Sequence, residues 1–341
     1  MDMAQQPANA SRGARGEPMI EVERLTRYYG SVPAINDVSF TAYKGEIVGF
    51  LGPNGAGKTT TMRMLTGYLP PSSGTARIAG HDIVNASMAA RKLIGYLPES
   101  TPLYTEMTIS EYLHFMARLR GVKDRDEAVE RVMKKVSIDH RADDLIGHLS
   151  KGFRQRVGIA QALVHSPKLI ILDEPTIGLD PRQIREVREL IAELRGEHTV
   201  LLSTHILPEA QQLCDRILII KRGQIVAEDT TEGLTARLGG GEQIKVGLGR
   251  SVAAAEMRSA LDSVPGLSEV TGDGDSYTVT VQPASDARAA IAAAVVGRGW
   301  PLVELSLSRL TLEDVFLELT ASDTAAEATE AELVAEEEAE G

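Results

Sequence analysis

Along this 341-residue chain, short uncharged runs alternate with stretches in which apolar residues recur every three or four positions. "IVGFL" (47–51), "LIIL" (169–172) and "VLL" (200–202) are the runs. Strands buried on both faces of a parallel sheet show this pattern. "PMIEVERL" and "VSFTAY" also have strand character. "KTTTMRMLTGYL" predicts a helix, and in "RQIREVRELIAELR" the residues Ile184, Val187, Leu190, Ile191 and Leu194 share one helical face. Such alternation predicts an α/β domain. Between about 95 and 150 the pattern turns mainly helical. There "TISEYLHFMARLR" opens on a capping-box pair, Thr108 and Glu111, and "RDEAVERVMKKV" follows. The expectation is a helical insertion at the side of the sheet.

Glycines at 239–241 mark a boundary. Beyond them the order strand, helix, strand, helix, strand predicts a small α+β domain over 241–320, ending in "TLEDVFLELT". No chemistry is visible in it, so the reading is a packing or regulatory module. The main domain is expected over 19–237, after a disordered polar segment, 1–18.

Charge changes the picture mainly at the C-terminus. The chain carries a net −12, and the stretch from Ser322 holds eight acidic residues and no basic ones. Without it the net charge is −4. Residues 321–341 read as a solvated, disordered tail. A body so balanced is not built to coat nucleic acid, and aromatic residues make up only 4% of the chain, too few for a base-stacking platform. The single cysteine, Cys214, forms no intrachain disulfide, which fits a reducing compartment. The first residues lack the apolar core of a signal peptide, and no run is long enough to span a membrane.

The chemistry begins at "GPNGAGKT", Gly52 to Thr59, a full match to G-x-x-x-x-G-K-[ST] between a predicted strand and a predicted helix. Gly52, Pro53, Asn54, Gly55, Ala56 and Gly57 form a loop whose N–H groups can wrap phosphates, with Thr60 in the first helical turn. Lys58 can reach the β- and γ-phosphates, and the Thr59 hydroxyl can ligate Mg²⁺. "LIILDEP" then delivers Asp173 and Glu174 at the carboxyl end of a buried strand, where α/β sheets place their ligands. Asp173 would hold Mg²⁺, and Glu174 would orient or deprotonate the water that attacks the γ-phosphate. His205 closes "LLSTH" on the same sheet edge and reads as a γ-phosphate contact. The remaining histidines show no ligand spacing, so no structural metal is expected.

"LSKGFRQRVGIAQAL" (149–163) decides between the many proteins that share such a cradle. With "YLPE", "LDEPT", "GLD" and "STH" in the same order, the chain resembles the ATP-binding subunits of ABC transporters over about 19–235. The resemblance implies a P-loop NTPase fold of the ABC type, α/β, with a mainly parallel core sheet, an antiparallel β subdomain and a helical subdomain. It implies that Tyr29 stacks on adenine, that Glu99 stands where the family usually has a Mg²⁺-ligating Gln, and that Ser150, Lys151, Gly152 and Asp180 line a partner's site. Two stretches depart from the pattern: Glu99 adds a negative charge, and the signature loop loses the second-position Gly and the Gln of the common LSGGQ form, at Lys151 and Phe153. Lys151 reads either as a charge offset near the phosphates or as a solvent-facing lysine. Both changes, and the C-terminal domain, resemble the exporter-type branch for drugs, lipids or polysaccharides, which includes subunits linked to gliding motility.

The resemblance therefore implies an ATPase motor with ATP and Mg²⁺ as cofactors. It would work as a homodimer around two ATP molecules, gripping an integral-membrane permease through the helical subdomain at the cytoplasmic face of the membrane. A soluble ABC ATPase of translation or DNA repair is the competing class. Those carry two cassettes or a long coiled-coil arm, and this chain has one cassette and no heptad arm. A cassette that binds but does not hydrolyse is the third. The opening of "LSKGFRQR" is expected to cap a basic amphipathic helix on which Phe153, Val157, Ala160 and Val164 share the packed face.

Overall fold

The computed structural model describes residues 16–231, 233–234, 242–281 and 287–308, and divides the chain into two compact units, 1–230 and 231–341. The segment 1–15, "TLEDVFLELT" and the acidic tail lie outside the described residues.

The first unit opens on two long strands, β1 (Pro18–Tyr29) and β2 (Val32–Tyr43), paired antiparallel with Ile20 opposite Ala42 and Val22 opposite Phe40. The uncharged run β3 (Ile47–Leu51) leads through the glycine turn into α1 (Lys58–Leu65). Then come β4 (Ser73–Ile78), β5 (His81–Asp82), α2 (Ser87–Lys92) and β6 (Ile94–Leu97). Helices α3 (Ile109–Leu119), α4 (Arg125–Lys135) and α5 (Lys151–Leu163) follow. The unit closes with β7 (Leu169–Asp173), α6 (Pro181–Ala192), β8 (Thr199–Thr204), α7 (Leu207–Leu213), β9 (Arg216–Lys221) and β10 (Gln224–Asp229).

These strands make two sheets. One is antiparallel, in the order β2-β1-β4-β5; the other has the order β10-β9-β3-β8-β7-β6 and is parallel except for β10. Every residue of β3 and β7 is buried, as the uncharged runs Ile47–Leu51 and Leu169–Leu172 require, and the last residue of β7 is the buried carboxylate Asp173. The sheets share one apolar core, in which Ile20, Val22 and Phe40 of the first meet Val48, Phe50, Ile171 and Leu201 of the second. The Phe40 and Phe50 rings lie 5.8 Å apart. This shared core holds the carboxyl ends of β3, β7 and β8 in register, and the site grows from those ends.

Two expectations need correcting. The stretch 95–150 is not helical from its start, because Ile94–Leu97 forms the edge strand β6, parallel to β7. Its "IGYL" run is short and uncharged like the other core strands, which outweighs the helical residues downstream. Helix α5 is not a one-faced amphipath either. Val157, Gly158, Ile159 and Ala160 are consecutive and all buried, because α3, α4 and β6 enclose the helix on several sides. Phe153, expected on its packed face, is only half-buried, its ring against Arg141 and His140. The capping box forms as expected: Thr108 Oγ1 accepts from Glu111 N–H at 3.2 Å, and the Glu111 carboxylate accepts from Thr108 N–H at 2.9 Å.

The second unit holds β11 (Glu242–Val252), α8 (Ala254–Leu261), β12 (Leu267–Val281), α9 (Arg288–Gly297) and β13 (Leu302–Ser308). Its antiparallel sheet, ordered β12-β11-β13, packs on both helices around Val246, Leu261, Val279 and Ile291.

Candidate functional site

The turn from β3 into α1 depends on two glycines. Gly57 caps α1 with φ +106°, and a Cβ there would run into the Ile35 side chain and lie 2.7 Å from the Ala34 carbonyl oxygen. A Cβ at Gly52 would collide with the Ile220 carbonyl. Only glycine permits this close approach of backbone. The Lys58 side chain folds along the turn, and its ammonium donates to the Gly52 carbonyl at 2.7 Å and the Pro53 carbonyl at 3.1 Å. It also stands 3.3 Å from Glu174 Oε1.

At the end of β7, Asp173 is fully buried. Its Oδ1 accepts from the Ser203 hydroxyl at 2.5 Å and the Thr59 hydroxyl at 3.3 Å, whereas its Oδ2 has no donor. Burial pushes the Asp173 carboxyl above its ordinary range. The Ser203 and Thr59 hydroxyls oppose that shift, and the nearby Glu99 and Glu174 charges add to it. The next residue, Glu174, takes a left-handed φ of +48°, with its N–H donating to Ser203 Oγ at 3.0 Å. Its carboxylate lies between two groups: Oε2 is bonded to His205 Nδ1 at 2.9 Å, whereas Oε1 pairs in charge with Lys58 at 3.3 Å but is buried without a hydrogen bond.

A cleft of about 350 Å³ lies over these groups, lined by Asn54, Gly55, Gly57, Lys58, Thr59, Thr60, Glu99 and Glu174, with Ala34 and Ile177. The orphaned Asp173 oxygen, the Thr59 hydroxyl and the Glu99 carboxylate form a hard-oxygen donor set, which fits Mg²⁺. Thus the cradle, the paired carboxylates, His205 and Glu99 converge.

The other expected residues do not line the cleft. Tyr29 lies at the tip of the β1–β2 hairpin with the Arg27 guanidinium 5.3 Å over its ring. Ser150 caps α5, accepting from Phe153 N–H at 3.4 Å. Asp180 caps α6, accepting from Arg182 N–H at 3.0 Å and Gln183 N–H at 2.9 Å. Gly152 lies against the Gln183 side chain, and the Lys151 ammonium fills the space beside Gly178. Lys151 and Gly152 therefore meet Gly178 and Gln183 within one chain, and none of these four residues lines its cleft.

Sequence reasoning passed over Ser203, which touches both carboxylate residues, and Glu209, Thr176 and Thr204, which form a buried group behind them. The polar "ST" ending the apolar run of β8 was a signal for two of these. Glu209 gave none.

A family model described as "ABC transporter" matches residues 35–177. The uncharacterized ABC transporter ATP-binding protein YxlF of Bacillus subtilis (strain 168) is 35% identical over 303 residues, 88% of this chain and 99% of the relative. The bacitracin transport ATP-binding protein BcrA of Bacillus licheniformis is 40% identical over 221 residues, 64% of this chain and 72% of the relative. A solved structure of an ATP-binding subunit of an ABC transporter is 32% identical, with a TM-score of 0.60, covering 65% of this chain and 93% of its own. With a glycine cradle and an Asp-Glu pair at the strand ends that these likenesses explain, the chain belongs to the ABC transporter family, as one of its ATP-binding, ATP-hydrolysing subunits.

Proposed function

We propose that this subunit works as a dimer closed around two ATP molecules and drives a separate membrane permease, as the motor of an exporter. The observation that carries the reading is the Glu174 carboxylate held between Lys58 and His205 at the mouth of the phosphate cradle.

The N–H groups of Asn54, Gly55 and the stretch Gly57 to Thr60, with the Lys58 ammonium, would bind the phosphates. Lys58 exchanges carbonyl partners for phosphate oxygens at little cost, since both accept from its N–H groups. Thr59, Glu99 and Asp173 would hold Mg²⁺, which neutralises charge on the phosphate oxygens when bound. Glu174 orients the attacking water and takes its proton. His205, bonded to Glu174 through Nδ1, fixes that carboxylate and contacts the γ-phosphate. Tyr29 would stack on adenine from the hairpin tip.

Ser150, Lys151, Gly152 and Asp180 lie outside their own cleft, which supports a role at the cleft of a second chain. ATP then acts by favouring the closed dimer, and hydrolysis releases it. Among the described residues no helix is long and apolar enough to cross a membrane, so the membrane step is assigned to a permease docked on the helical subdomain at the cytoplasmic face. Export is supported by the departures at Glu99 and Lys151 and by the relative named for bacitracin transport. Glu174→Gln is expected to keep ATP affinity, lose about 10²-fold or more in turnover and accumulate an ATP-bound dimer on size-exclusion chromatography. Normal turnover in that variant removes Glu174 from the role.

A further inference from the structure

Behind the Glu174–His205 pair lies a carboxylate that the proposed chemistry does not use. Glu209, on α7, is 3% exposed, and its Oε2 accepts from Thr176 Oγ1 at 2.8 Å and from Thr204 Oγ1 at 3.2 Å. Thr176 stands two residues after Glu174, and Thr204 is the residue before His205. One carboxylate oxygen therefore ties together the two backbone segments that carry the paired side chains.

The hydrogen bonds have a direction. Because the Thr204 hydroxyl donates to Glu209, its oxygen is left to accept from Ile206 N–H, at 2.9 Å, which fixes the turn presenting His205. Glu174 needs such support: a left-handed φ in a residue other than glycine persists only where its surroundings over-determine it. From α5 the buried Gln155 amide donates to the Pro175 carbonyl at 2.7 Å, so the Glu174–Thr176 segment is tethered to two helices, α5 and α7. Packing alone does not account for the glutamate. Its Oε1 is buried without a donor, a cost that an apolar side chain on α7 would avoid.

We propose that Glu209 is a positioning residue for ATP hydrolysis: through Thr176 and Thr204 it sets Glu174 against His205 without touching nucleotide. The inference rests on the reading of Glu174 and His205 given above.

The test uses the full-length chain, with steady-state ATP turnover and ATP affinity measured side by side. Glu209→Ala is expected to lower kcat by about tenfold or more while ATP affinity stays within about twofold. Thr176→Val and Thr204→Val remove only the hydroxyls at constant shape. They are expected to give smaller losses in kcat alone, and they carry the test if the alanine variant does not fold. Combined with His205→Ala, the Glu209 substitution should slow turnover by no more than about twofold beyond His205→Ala alone, because both act through one pair. Unchanged kcat, equal losses in kcat and affinity, or losses that multiply in the double variant would overturn the proposal. Glu174→Gln separates the two readings. If it stalls while Glu209→Ala turns over normally, only the positioning role fails; if it turns over normally, the reading of the site fails and this inference with it.

Discussion

Gly57 and Glu174 both hold a left-handed backbone, at φ +106° and +48°, the first in the cradle and the second in the carboxylate pair beside it. At Gly57 the requirement is steric twice over, through the sign of φ and through the Ile35 side chain and Ala34 carbonyl that a Cβ would meet. Gly57→Ala is therefore expected to cost about 1–3 kcal/mol in unfolding free energy and to weaken ATP binding. Denaturant titration and nucleotide titration of the same preparation check both effects. The cradle was legible because its spacing is local. Glu174 was legible only as an acid at a strand end, since its partners Lys58 and His205 lie 116 and 31 positions away along the chain. Its strained φ has no signature in the residues around it.

At the scale of elements, α5 is fastened to the segment leaving β7. Gln155 donates to the Pro175 carbonyl, and Arg156 pairs with Glu186 of α6 at 2.8 Å. Gln155→Ala leaves that carbonyl buried and unpaired and should cost about 1–3 kcal/mol, read as a lowered unfolding midpoint. The far end of α5 is tied to the edge strand β6, where His165 Nε2 lies 3.1 Å from the Ile94 carbonyl. Burial, aided by the Arg120 charge, pushes the His165 imidazole down to about 4 from an ordinary 6.5. Its Nδ1 is buried with no partner, so a second proton would have no acceptor. A depressed pKa of this kind gives stability that is full above about pH 6.5 and is lost as pH falls toward 4, on the order of 3 kcal/mol. Denaturant midpoints across that window should fall in the native chain and fall less in His165→Gln. The strand β6 itself shows how an element hides: four uncharged residues ahead of a helical region carry too little period to announce a strand.

For the whole molecule, the division into two units has a direct consequence. The residues of the cleft and the carboxylate behind it lie between Ala34 and Glu209, inside the first unit, and the second unit has an apolar core of its own. A fragment ending at Thr230 is expected to fold and to bind ATP within about twofold of the full chain, measured by calorimetric titration. Loss of binding in a folded fragment would assign the second unit a part in the site. The order of elements in the second unit was legible from alternating runs, whereas its strand order, β12-β11-β13, was not, because pairing joins strands that are distant in sequence.

By itself the sequence determined the family, the glycine turn from Gly52 to Thr59 and the strand ends that carry Asp173 and Glu174. Each of these is written in neighbouring residues, as glycine spacing, uncharged runs and polar residues that end them. Only the tertiary structure decided that α5 is enclosed on several sides, that Lys151 and Gly152 meet Gly178 and Gln183, that Glu174 stands between Lys58 and His205, and that Glu209 supports that pair from behind. The physical reason is range. Periodicity and propensity act over a few residues, whereas these contacts form where sheet pairing and a shared core bring remote segments within hydrogen-bond distance.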